Sequence, residues 1–145
     1  MIWQYRAEEA DFSVLVGCTV TECNKDHDKT WLSFTLDDGR TFILFHRQDC
    51  CEGVYLDDVC GDLADIVGSP ILLAEAVSVS GVSGDATDPP PKAPSSDESW
   101  TWTFYKIATV KGSVTLRWYG VSNGYYSERV TFALLPRDDE SEWMK

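Results

Sequence analysis

Leu56-Asp-Asp-Val-Cys-Gly-Asp-Leu-Ala-Asp-Ile-Val67 is the stretch whose reading decides the fold class. Its apolar residues, Leu56, Val59, Cys60, Leu63, Ile66 and Val67, follow the i, i+3, i+4, i+7 spacing of an amphipathic helix. Gly68 and Pro70 then supply a helix stop. On such a helix Asp58, Asp62 and Asp65 share the face opposite the apolar stripe, with no basic partner one turn away. That acidic face is either solvated or used.

The flanks have a different period. Thr30 to Leu36 places Leu32, Phe34 and Leu36 on one side, and Arg40 to His46 does the same with Phe42, Leu44 and His46. Asp37-Asp38-Gly39 between them predicts a hairpin turn, because glycine tolerates the positive φ such turns need. Residues 15–23, around Gly17, are a candidate first strand, and Ile71 to Val79 is another. Residues 80–99 read as a flexible proline-rich loop too poor in apolar side chains to pack. Beyond it, Trp100 to Val110 carries Trp100, Trp102 and Phe104 on one face, Ser113 to Tyr119 carries Val114, Leu116 and Trp118, and Tyr125 to Leu134 carries Val130, Phe132 and Leu134. Lys111-Gly112 and Asn123-Gly124 supply turns, and residues 137–145 form a loose acidic tail. One helix amid about six strands implies an α+β fold: a mainly antiparallel sheet with one principal helix on one face. The pattern is compatible with one sheet or with two packed sheets.

At 145 residues the chain is most simply a single domain spanning 1–145, able to bury roughly two-thirds of its unfolded surface. Six tryptophans and 43% hydrophobic residues mark it as globular. A formal charge of −12 argues against direct nucleic-acid binding and against an anionic membrane. No Lys or Arg occurs between Arg47 and Lys92, an interval holding Asp49, Glu52, Asp57, Asp58, Asp62, Asp65, Glu75, Asp85 and Asp88. The N-terminus shows no signal-peptide pattern, and the five cysteines, an odd number with Cys50 and Cys51 adjacent, do not suit a secreted disulfide framework. The expected location is cytoplasmic.

The candidate motif is His46, Asp49, Cys50, Cys51 and Glu52, continuing through Asp57, Asp58 and Asp62. Imidazole, thiolate and carboxylate suit zinc, with His46, Cys50 and Cys51 as ligands and Asp49 or Glu52 as a further candidate. Adjacent cysteines rarely reach one ion, however, and Cys18, Cys23 or Cys60 would have to complete the shell. A catalytic thiolate paired with His46 is opposed by the surrounding carboxylates. The same residues also admit a purely architectural account, in which a cysteine packs as a small apolar group, His46 meets a carboxylate, and Asp49 or Glu52 satisfies amides at a helix start. Asp58, Asp62 and Asp65 lack the glycine-containing loop of an EF-hand. Farther on, Arg117, Trp118, Tyr119, Tyr125 and Tyr126 cluster around a turn and form a candidate pocket in which aromatic rings stack a nucleobase and arginine meets phosphate.

His46-x-x-Asp-Cys-Cys-Glu52, together with Trp118-Tyr-Gly-Val-Ser-Asn-Gly-Tyr-Tyr126, resembles a family of small uncharacterised proteins frequent in bacteriophages and prophages. The resemblance covers about residues 14–134 and implies life in bacterial cytoplasm and an accessory role such as host takeover or anti-defence. It implies no catalytic residue. The leading expectation is a non-enzymatic binder or inhibitor of a bacterial host protein. The alternatives are a sponge for a nucleotide or small signal, and a zinc protein centred on His46, Cys50 and Cys51.

Overall fold

The structure, a computed structural model, describes residues 6–48, 52–82, 99–123 and 127–136. These residues form two antiparallel sheets. The strands are β1 (Glu8–Glu9), β2 (Val20–Lys25), β3 (Trp31–Leu36), β4 (Thr41–Phe45), β5 (Gly53–Cys60), β6 (Leu73–Val82), β7 (Ser99–Thr109), β8 (Gly112–Ser122) and β9 (Thr131–Leu134). One sheet has five strands in the order β1-β9-β4-β3-β2, and the other has four in the order β5-β8-β7-β6.

Alternation within the strands explains why the two sheets pack face to face. Leu32, Phe34, Leu36, Phe42, Leu44 and Phe132 point inward from the five-stranded sheet, and Val54, Leu56, Tyr105, Ile107, Val114, Leu116 and Trp118 meet them from the four-stranded one. Fully burying each such side chain contributes roughly 1.5–3 kcal/mol. Phe42 and Phe132 lie parallel with centroids 5.0 Å apart, and Phe12 stands edge-on to Phe132 at 5.1 Å.

The β3–β4 hairpin follows from its turn chemistry. Gly39 has φ +90°, its N–H donates to Leu36 O at 3.0 Å, and Leu36 N–H donates to Arg40 O at 2.8 Å. A second tight hairpin joins β7 to β8 through Val110 and Lys111, with the register running from Thr109↔Gly112 back to Ser99↔Ser122.

The α+β expectation is wrong, and the error lies in the stretch read as a helix. The described residues contain no helix of seven residues or more. Residues 53–60 are instead the edge strand β5, paired with β8, and a four-residue 3-10 turn, Leu63–Ile66, follows it. A register shift between Leu56 and Asp58 explains the misreading. The extra residue of a bulge turns a strand's two-residue apolar spacing into three, so Leu56 and Val59 both face the core while imitating a helical step. Gly61, at φ +113°, then reverses the chain where a Cβ would lie 2.7 Å from Ser113 O.

Strands also occupy both ends of the segment read as a loop, with β6 running to Val82 and β7 starting at Ser99. The rest of that loop and the tail from 137 lie outside the described residues. Among the described residues no helix is long and apolar enough to cross a membrane.

Candidate functional site

His46 follows the last residue of β4 and is buried together with Glu52, which precedes β5. Its Nδ1 lies 2.7 Å from Arg129 O. A carbonyl only accepts, so Nδ1 carries the proton. Among the described residues Nε2 has no hydrogen-bond partner, and it faces Glu52 Oε2 at 3.8 Å, with the two side chains 5% and 0% exposed. Gln48 Nε2 donates to Glu52 O at 2.7 Å and ties the two ends of the connection together. Glu52 does not start a helix, contrary to the architectural account. Asp49, Cys50 and Cys51 lie outside the described residues. Among the described residues no group of three or more His, Cys, Asp or Glu side chains is placed to hold a metal.

The carboxylates expected to share a helix face sit on different elements. Asp57 occupies the β5 bulge, where Arg117 Nε donates to its Oδ2 at 2.8 Å. Asp58 lies 3.8 Å from the same guanidinium and accepts from Val59 N–H at 2.9 Å. Asp62 caps the 3-10 turn by accepting from Ala64 N–H at 3.0 Å, and the Asp65 side chain lies against Gly112. No helix unites Asp58, Asp62 and Asp65.

Two of the three described thiols, Cys23 and Cys60, are poor nucleophiles. Burial pushes the Cys23 thiol up to about 12. Desolvation and the neighbouring Asp58 also raise that of Cys60, which donates to Asp58 Oδ2 at 3.5 Å. Neither has the electropositive surroundings that activate cysteine.

The residues of the expected nucleotide pocket separate across β8. Trp118 points inward and is fully buried, whereas Arg117 and Tyr119 are on the opposite face. There Arg117 Cζ lies 5.5 Å from the Trp102 ring, and Trp102 and Tyr119 are 4.3 Å apart. Trp102 and Tyr119 thus form part of a small outer cluster with Trp100. Tyr125 and Tyr126 lie outside the described residues.

Two features that sequence reasoning missed lie together at the β6 border. Among the described residues β6 is a ten-residue edge strand with β7 as its one ladder partner, and the 3-10 turn Phe12–Leu15 packs against it. The strand carries one charge, Glu75, and no proline or lysine, the residues that usually blunt an edge. Val77 is 49% exposed. Beneath the strand run two adjoining cavities of about 420 and 410 Å³, which share Ala76, Tyr105, Arg129 and Val130.

The cavities exist because the inward positions change character along the strands. Ala74, Tyr105 and Ile107 belong to the apolar core, but Ser78, Ser80, Thr101 and Thr103 continue the same face with hydroxyls. Ser78 and Thr103 are 3.3 Å apart across the strands, Ser80 and Thr101 3.0 Å, and Thr101 donates to Glu128 at 2.7 Å. Tyr105 is 5% exposed, and burial pushes its pKa above the ordinary tyrosine range. The sequence signal was Ser78-x-Ser80 opposite Thr101-x-Thr103, hydroxyls at positions where alternation calls for core.

Fold and site together define, among the described residues, a two-sheet antiparallel β protein with an edge strand above a hydroxyl-lined cleft. The chain belongs to the family described as a domain of unknown function, DUF7448, whose model matches residues 13–132. Neither the curated proteins nor the solved structures contain a match to it.

Proposed function

We propose that the protein is a non-catalytic binding protein: a phage or prophage accessory factor that engages a bacterial host protein in the host cytoplasm. The observation that carries this reading is the β6 edge, whose outer side pairs with no strand among the described residues and which, with exposed Val77, offers a template for strand addition. The net charge of −12 adds long-range attraction toward a cationic partner and keeps copies of the chain apart.

Affinity capture from bacterial lysate at low salt tests the reading. A host protein should be retained by the wild-type chain and released by salt and by Ser78→Lys. Retention of no host protein, or equal retention by the folded Ser78→Lys variant, would contradict it.

A second reading, zinc held by His46 with Cys50 and Cys51, draws support from the imidazole geometry. Donation of Nδ1–H to a backbone carbonyl leaves Nε2 as a lone pair, which is how metal-ligating histidines are commonly oriented. Elemental analysis of untagged protein decides: stoichiometric zinc that is lost in His46→Ala supports it, and sub-stoichiometric zinc with no effect of chelation on melting removes it.

A further inference from the structure

We infer that the segment bound at β6 is an extended basic strand, and that one of its Lys or Arg side chains enters the cleft between the sheets. The inference rests on the β6 edge being the binding surface and goes beyond it by assigning the chemistry of the occupant. In an antiparallel ladder narrow and wide pairs alternate, so every second residue of β6 turns its N–H and C=O away from β7. A strand added there would lie about 4.8 Å beyond β6 and point alternate side chains to opposite faces.

Its inward side chains would meet the mouth of the cleft, where Ala76, Ser78 and Ser80 face. The cleft is built for a polar, positively charged tip. Its lining carries the carboxylates of Asp11 and Glu128 against one guanidinium, Arg129, which Glu9 already engages at 2.6 Å, while Glu75 stands opposite Lys106 on the outer face of β6. The Ser78, Ser80, Thr101 and Thr103 hydroxyls offer lone pairs as well as donors, and the Tyr105 side chain lines the same space. An ammonium or guanidinium on an aliphatic stem fits this surface, with the stem along Ala76 and Val130 and the charge among the oxygens. On the outer face the same strand would cover Val77. A second copy of this chain is a poor occupant, since it would bring its own Glu75 and a charge of −12 to the same edge.

Three labelled peptides as long as β6 serve as probes: alternating lysine and valine, alternating glutamate and valine, and alternating lysine and proline. The first should bind the full chain by fluorescence anisotropy, weaken by about tenfold when Glu128 becomes Gln or when salt is raised, and slow hydrogen exchange in β6. The glutamate peptide should not bind, and the proline peptide, which lacks the donors, should not slow exchange in β6. Equal binding of all three, or protection located away from β6, would overturn the inference. A captured host protein that protects β6 through an acidic or apolar strand would overturn the basic-strand assignment while leaving the β6 surface intact. Binding of the lysine–valine peptide at β6, with no host protein ever captured, would support the strand chemistry and remove the host-binding reading.

Discussion

Replacing His46 by Leu separates the two groups of the buried pair most cleanly. The side chains of His46 and Glu52 are 5% and 0% exposed, so solvent screens them little and the cost belongs to the upper part of the usual range for single substitutions, about 2–3 kcal/mol. Part of that cost is the Arg129 carbonyl, which loses the donor at 2.7 Å and is worth about 1–3 kcal/mol if left unsatisfied. The double variant His46→Leu, Glu52→Leu removes both members of the pair. It should therefore be more stable than the sum of the two single variants by about 1–3 kcal/mol. Urea unfolding at pH 7, followed by the fluorescence of Trp118 and the other tryptophans, gives all four corners of the cycle. Additivity within about 0.5 kcal/mol would show that the two side chains do not interact and refute the reasoning.

Other outcomes follow from local geometry. Gly81→Ala would place a Cβ 2.1 Å from Trp100 Cζ2 beneath a buried ring, so it should destabilise by about 1–3 kcal/mol, and an unchanged thermal midpoint would mean Trp100 is not seated there. Cys60, exposed, should alkylate much faster than Cys23 at pH 8, and equal rates would count against the burial of Cys23. Because the Cys23 thiol moves from 9.0 to about 12 on folding, the stability it contributes is complete below pH 9 and is lost as pH rises toward 12; Cys23→Val should flatten that alkaline decline. The hydrogen bond from Arg129 lowers the Glu9 pKa from 4.5, so its contribution is present above that pH and lost as pH falls through the folded value. At 45% exposure the effect of Glu9→Gln should stay under about 1 kcal/mol at pH 7 and vanish in acid.

The legible parts of the fold were those set by local chemistry. Leu32, Phe34 and Leu36 against Phe42 and Leu44 around Gly39 describe a hairpin completely, and the β7–β8 pair is nearly as plain. β5 was hidden because its bulge at Asp57 reproduces helical spacing, and because Asp57 and Asp58 are tolerable in a strand only through Arg117, sixty positions away in sequence. Trp118 and Tyr119 looked like neighbours in one pocket, yet consecutive strand residues point to opposite faces. His46 and Glu52 were visible as candidates, whereas the partner of Nδ1, Arg129 O, comes from the far end of the chain. The edge position of β6 depends on strand order, which no single segment encodes, and its Ser and Thr residues carried no strong signal of a cleft.

Hydrogen exchange on the full chain, free and in complex with the host protein it captures, tests the binding surface most directly. Slowing concentrated in residues 74–82, with the β3–β4 hairpin unchanged, is the predicted result. Protection along β2, the far edge of the five-stranded sheet, with β6 exchanging as fast as in the free chain, would contradict it.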